Sequence, residues 1–310
     1  MSQYAAVALY KLNPLLTYGF TLINCILQSQ KERHLPVSDL LSRTTVRLEC
    51  QNANTTSVGT SFLYRADATE DQWTPLLITN RHVVFGFSSA TLTLSTAPDP
   101  RLATPADAQT ITVQNLQNLV TYHPDPNIDL AAIFLGPIAN QFGTQDQPFQ
   151  LNAIRRQDLV DTDTETRMRF VEDVLVVGYP QGIWDEYRNL PIFRSGVTAS
   201  PAMLDYQNES KFLIDCSIFP GSSGSPVFLY NSGVVLDAKN NSASFGERLK
   251  LLGVVFAVQL YQANGQVIQQ SVPTNTNQVA QIGMPNNLGV VVKSREILPL
   301  LDEIQNRMTA

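Results

Sequence analysis

The sequence predicts an all-β body preceded by an N-terminal helical segment and closed by a C-terminal helix. Three observations lead there. From Thr44 onward, about a dozen short runs rich in Val, Ile, Leu, Thr and Phe alternate with Gly, Pro, Asn and Asp clusters, the spacing of a sandwich or barrel. No regular helical pattern of roughly 10–15 residues separates these runs, which argues against a parallel βαβ sheet. The last segment, SREILPLLDEIQNRM from Ser294, instead carries apolar residues at helical spacing and opens on a residue type suited to an N-cap.

Residues 4–28 are apolar, yet no basic region precedes them, Lys11 and Asn13 sit inside them, and no small-x-small cleavage site follows. Lys11, Pro14 and Gly19 also interrupt the run of about 20 apolar residues that a membrane span needs. Residues 1–43 therefore read as a helical segment packed on the domain or on a regulatory protein partner. With no leader and no span, the expectation is a cytoplasmic protein that meets no membrane. Strands are then expected at Thr45–Cys50, Gly59–Arg65, Pro75–Asn80, Thr91–Ser95, Thr110–Gln114 and Asp129–Leu135. A second set is expected at Val174–Tyr179, Ser195–Ser200, Lys211–Cys216, Ser225–Tyr230, Leu249–Val258 and Leu288–Lys293. Long loops are expected at about 95–110 and about 262–287.

Composition excludes several classes. At 44% hydrophobic and 15% charged, the chain of 310 residues is globular rather than disordered. Its net charge of −6 implies no basic nucleic-acid surface. Cys25, Cys50 and Cys216 lie far apart, which fits buried thiols and neither a disulfide framework nor a Cys-rich zinc site. The three histidines, His34, His82 and His123, are dispersed and match no usual zinc spacing, so neither metal nor cofactor is expected.

The strongest local feature is Pro220-Gly221-Ser222-Ser223-Gly224-Ser225-Pro226 between two expected strands. Glycines beside a serine allow a tight exposed turn, and consecutive N–H groups on such a turn can converge on an oxyanion. A serine is a poor nucleophile without a base. His82 follows a strand in LLITNRHVV, and Asp129 opens a strand in NIDLAAIFL. Asp125 is the rival carboxylate, but it lies between prolines in a loop; His123 reads as a loop histidine and His34 as a surface one.

Taken together, these segments resemble the chymotrypsin-fold, trypsin-like serine peptidases, closest to the bacterial-type branch of HtrA and glutamyl endopeptidase. Thr79-Asn80-Arg81-His82-Val83 matches the histidine motif, Asp129-Leu130-Ala131 the aspartate motif and Gly221–Pro226 the serine motif. They follow in the order His, Asp, Ser, separated by 47 and 94 residues. Softer matches are Gly59-Thr60-Ser61-Phe62, Val177-Gly178-Tyr179-Pro180, Arg194-Ser195-Gly196-Val197 and Gly253-Val254-Val255.

The resemblance spans about residues 44–305 and implies two packed six-stranded antiparallel barrels, about 44–145 and about 165–292, with the cleft between them. It implies a serine endopeptidase acting on polypeptides, with Ser223 as nucleophile, His82 as general base and Asp129 orienting His82. The Gly221 and Ser223 N–H groups would form the oxyanion hole, while Ser222 and Ser225 would be structural. Ser222 stands where the pancreatic branch has an aspartate that pairs with a new N-terminus, so activation by N-terminal cleavage is not expected. A PDZ domain after the C-terminal helix, as in typical HtrA proteins, is not expected.

The same resemblance places the base of the side-chain pocket at Ser217 and Ile218, and its walls at Phe256, Ala257, Val258 and Gly289. No charge lies among these residues, and Val255 stands where glutamyl endopeptidases carry a histidine. The expectation is a preference for aliphatic residues before the scissile bond. Two rivals remain: a latent protease ordered by a partner bound to the N-terminal segment, and a catalytically silent β-barrel binding module.

Overall fold

Alternation of side chains decides the first sheet. Along Thr45–Gln51, Val46, Leu48 and Cys50 turn inward while Arg47, Glu49 and Gln51 turn out, the period-two signature of a strand with one buried face. The computed structural model describes residues 37–67, 73–138, 149–150, 152–266 and 279–309, and among these thirteen strands form two antiparallel sheets. The first comprises β1 (Thr45–Gln51), β2 (Thr56–Asp67), β3 (Trp73–Thr79), β4 (Ser89–Ser95), β5 (Ala108–Gln114), β6 (Val120–Tyr122) and β7 (Ala131–Phe134), in the order β5-β4-β1-β2-β3-β7-β6. The second comprises β8 (Asp173–Gly178), β9 (Ile192–Thr198), β10 (Lys211–Asp215), β11 (Pro226–Asp237), β12 (Ser242–Gln266) and β13 (Val279–Lys293). It closes as a barrel in the order β10-β13-β12-β11-β8-β9.

Every expected strand is present, and one correction concerns number. The first sheet has seven strands rather than six, because Val120–Tyr122 pairs with β7, Tyr122 lying opposite Ala131. Three residues are too few to show a period. The expected long loop at about 95–110 stands between β4 and β5, and a second correction concerns the one at about 262–287. The 95–110 connection contains two single 3-10 turns, Pro100–Leu102 and Pro105–Asp107. The expected 262–287 loop is largely ladder: β12 and β13 pair as far as Gln266 and Val279, leaving 267–278 outside the described residues.

Three apolar clusters hold the two sheets. One fills the first sheet with Val46, Leu48, Leu63, Leu77, Leu92, Ile111 and Ile133. Another fills the barrel with Val174, Val176, Phe212, Ile214, Val227 and Val291. The third lies between them, where Phe62, Tyr64, Leu76 and Ile78 of β2 and β3 meet Val177, Phe228, Val254 and Val292 of the barrel. Successive residues of β2 and β3 therefore point into different cores, which explains why Leu76-Leu77-Ile78 is an unbroken apolar run. At about 1.5–3 kcal/mol for each large apolar side chain buried, this shared core fixes one sheet against the other.

Among the described residues, the helices α1 (Val37–Leu41), α2 (Arg81–Val84), α3 (Thr162–Arg167) and α4 (Ile297–Thr309) follow in chain order. On α4, Ile297, Leu300 and Ile304 form a stripe that completes the shared core. The expected N-cap at Ser294 is corrected: Ser294–Glu296 is a 3-10 turn, and Lys293 precedes it without a side-chain cap. The expected helical segment at 1–43 lies outside the described residues up to residue 36. Among the described residues, no helix is long and apolar enough to cross a membrane. Cys50 and Cys216 are free and buried, and burial pushes the Cys50 thiol up to about 12. Cys25 lies outside the described residues.

Candidate active site

The short helix α2 begins where β3 ends. The Asn80 side-chain amide donates to the Asp129 carbonyl at 2.7 Å and fastens this turn to the segment entering β7. The Asp129 carboxylate then takes two hydrogen bonds from one residue. Its Oδ1 accepts from the His82 backbone N–H at 3.0 Å, and its Oδ2 lies 2.5 Å from His82 Nδ1. These contacts fix the imidazole about both its backbone and its ring. His82 Nε2 is left for other chemistry. The His82 side chain is 48% exposed and that of Asp129 21%, so the pair sits at a surface with the carboxylate on its inner side.

Asp125 is not part of this pair. Its Oδ1 accepts from the Asn127 N–H and side-chain amide, closing a local turn. His123 lies in a loop, as expected, and is buried there, with Nδ1 accepting from the Asp125 N–H and Nε2 lying 3.5 Å from Glu296 Oε2. His34 lies outside the described residues.

The serine turn is built on two left-handed glycines, Gly221 at φ +88 and Gly224 at φ +86. A Cβ at Gly224 would stand 1.8 Å from the Thr60 carbonyl oxygen, and one at Gly221 would stand 2.7 Å from the Tyr179 carbonyl oxygen. Neither position has room for another residue. The Gly221 and Ser223 N–H groups, with the turn's glycine between the strands, donate to no described residue. By contrast the Ser222 N–H donates to the Phe219 carbonyl at 3.0 Å, and the Pro220 carbonyl accepts from the Gln181 N–H at 2.5 Å. With that carbonyl turned away, the two free N–H groups are available to an anion. Ser222 is buried, its hydroxyl accepting from the Phe219 N–H at 3.4 Å, and Ser225 is buried at the start of β11.

Thr60, completely buried on β2, joins the two halves. Its N–H donates to the Ser223 carbonyl at 2.8 Å, its hydroxyl donates to the Gly221 carbonyl at 3.1 Å and accepts from the Tyr179 N–H at 3.1 Å. The adjoining Gly59 would place a Cβ 2.7 Å from Val83 Cγ1 and 3.3 Å from the Ser223 carbonyl. Thus the residue after His82 and the backbone of Ser223 close on the same point of β2. Ser223 itself is half-buried, and its hydroxyl is bonded to no described residue.

Around the expected pocket, Ser217 is exposed and Ile218 is only 2% exposed. Ile218 fills the space beside Gly289, where a Cβ would stand 2.7 Å from Ile218 Cγ1 and 3.0 Å from Ile214 Cγ1. Val255 is buried, Phe256 and Ala257 are half-buried, and the Val258 side chain lies outside the described residues. Two residues had no assigned part in the sequence reading. Arg194 donates from Nη1 to the Ser217 carbonyl at 2.6 Å and lies over the Phe219 ring at 4.9 Å. Arg81 precedes His82 and lies over two aromatic rings. Among the described residues, no three His, Cys, Asp or Glu side chains gather as a metal-binding group would.

An exposed imidazole fixed by a carboxylate, on a segment that meets β2 at the same point as a glycine-braced serine turn, is an arrangement suited to acyl transfer. The family model of the trypsin-like peptidase domain matches residues 59–236. Among solved structures, the active form of the Rv3671c protease from M. tuberculosis is similar at 15% identity, over 87% of this chain and 84% of that one, with a TM-score of 0.40. The serine endoprotease from Yersinia pestis is similar at 12% identity, over 90% and 68%, with a TM-score of 0.44. Catalytically active tobacco etch virus protease complexed with product is similar at 12% identity, over 91% and 85%, with a TM-score of 0.41. No curated protein matches the chain.

Proposed function

Since the chain belongs to the family of trypsin-like peptidase domains, and is a serine endopeptidase by that membership, we propose that Ser223, His82 and Asp129 are its catalytic residues. The observation that carries this reading is the double hydrogen bond from His82 to Asp129, which leaves Nε2 as the free ring nitrogen. His82 Nε2 takes the Ser223 Oγ proton as the oxygen attacks the scissile carbonyl carbon. The resulting oxyanion is held by the Gly221 and Ser223 N–H groups. His82 then gives the proton to the departing amine, leaving an acyl group on Ser223. Water, activated by the same imidazole, releases the carboxylate product. Asp129 holds the tautomer with the proton on Nδ1 and stabilises the imidazolium. An Oγ–Nε2 hydrogen bond would form as substrate arrives, since such catalytic contacts tighten in the Michaelis complex.

The braced turn favours a competent site over one ordered only by a partner. The Pro220 carbonyl is already engaged by Gln181, and Thr60 anchors the carbonyls on both sides of Ser222.

Asp129→Asn is expected to lower kcat by roughly 10⁴-fold, because an amide nitrogen donating to Nδ1 selects the wrong tautomer. The melting temperature should fall little by comparison. Steady-state kinetics beside a thermal melt checks this; a loss under tenfold contradicts the role given to Asp129.

For the side chain before the scissile bond, the proposal is a preference for Val, Ala, Leu or Ile. Ile218, packed against Gly289, and the buried Val255 supply apolar surface and no charge. Arg194 is turned to the Ser217 carbonyl. An Arg, Lys or Glu side chain entering there would be desolvated at a cost of several kcal/mol. A peptide library cleaved by the purified protein tests the pocket, and a dominant preference for Arg, Lys or Glu refutes it without touching the triad.

A further inference from the structure

Arg81 stands immediately before His82 on α2, and among the described residues no carboxylate pairs with it. Its guanidinium lies 5.2 Å from the Phe85 ring centroid and 5.0 Å from that of Tyr122. The two rings meet edge to face, with centroids 5.7 Å apart. This clamp is braced from below: the Tyr122 hydroxyl donates to Gln117 Oε1, and the Gln117 amide donates to the Val84 and Phe87 carbonyls at 2.8 Å each. Phe85 is nonetheless 57% exposed, a large apolar ring left at the surface beside the site.

A guanidinium that offers its face to aromatic rings keeps its N–H edge for a planar acceptor. Carboxylate matches that edge with two parallel hydrogen bonds. The clamp also fixes the side chain before anything binds, so little further rotamer entropy is lost on contact. Adjacent Cα atoms are about 3.8 Å apart, and an extended peptide advances about 3.3 Å per residue. A peptide whose scissile carbonyl faces His82 therefore lies within one to three residues' length of the Arg81 backbone.

We propose that Arg81, held by Phe85 and Tyr122, is a specificity subsite for an acidic substrate side chain about one to three residues from the scissile bond. The assignment rests on the reading of His82 as general base. It adds a recognition element on the first sheet to the apolar pocket on the barrel.

Binding to the Ser223→Ala protein tests it without turnover. Peptides with an aliphatic residue before the scissile bond are scanned position by position with Asp against Asn and Glu against Gln. At one flanking position the acidic peptide should bind about fivefold more tightly, the scale of an exposed charge pair, and the difference should shrink as salt rises. Adding Arg81→Gln should erase the difference, Arg81→Lys should retain part of it, and Arg81→Glu should favour Lys at that position. Equal binding of acidic and neutral peptides at every position overturns the proposal, as does an acidic preference that survives Arg81→Gln. If the Gln variant fails to fold, the Lys and Glu variants decide the same question by the sign of the preference. Cleavage of the peptides by the Ser223→Ala protein would instead count against Ser223 as nucleophile.

Discussion

Replacing Ser223 by alanine is expected to lower kcat by roughly 10⁴–10⁶-fold while leaving the fold intact. The rate falls because neither neighbouring serine can take its place. Ser222 is buried and bonded to the Phe219 N–H, and Ser225 is buried at the start of β11. The stability hardly changes, because Ser223 is only half-buried and its hydroxyl is bonded to no described residue. Removing such a group should cost within about 0.5 kcal/mol. His82→Ala should lose nearly as much activity, since members of such a set act as one unit. Progress curves at high enzyme concentration measure the residual rate. Turnover near that of the wild type would move the nucleophile elsewhere.

The second large effect is structural. Gly224→Ala should destabilise the protein by more than about 3 kcal/mol and lower its melting temperature by roughly 5–10 °C. Two costs combine. The left-handed backbone at φ +86 costs about 1–2 kcal/mol for any residue with a Cβ. The new carbon would also stand 1.8 Å from the Thr60 carbonyl oxygen and 2.6 Å from the Thr79 hydroxyl, so β2 must move away from the turn. That movement breaks the Thr60 contacts to Ser223 and Gly221, and activity should fall with stability. Calorimetry of the purified variant checks the prediction, and a melting temperature within 2 °C of the wild type, on the scale of about 2–4 °C per kcal/mol, contradicts it.

What could be read ahead of the structure follows from the range of the interactions involved. The strands were legible because period two and β-branched content are local, as in β1, β4 and β5. β6 was not, because a three-residue strand exists only through its pairing with β7. The full length of the β11–β12 hairpin, from Pro226–Val254 to Asp237–Ser242, was also hidden. Its outer part shows Ser, Gly and Asn, residues that locally read as turn. At the proposed site, Ser223, His82 and Asp129 each lie in a short contiguous motif, so the sequence alone suggests them. It does not suggest the brace: the Thr60 hydroxyl reaches the Gly221 carbonyl across 161 positions, and Gly59-Thr60-Ser61-Phe62 gave only its place in the chain. Nor does any spacing rule pair Arg81 with Tyr122, or Arg194 with the Ser217 carbonyl. Each such pair is created by strands arriving side by side.

Covalent labelling of the folded protein with a fluorophosphonate, followed by mapping of the modified residue by mass spectrometry, tests the central claim most directly. The probe reacts with a serine only where a base removes its proton and an oxyanion is stabilised. A single adduct on Ser223 is expected, abolished by Ser223→Ala and strongly slowed by His82→Ala. An adduct on another residue, or labelling that persists undiminished in Ser223→Ala, would contradict it.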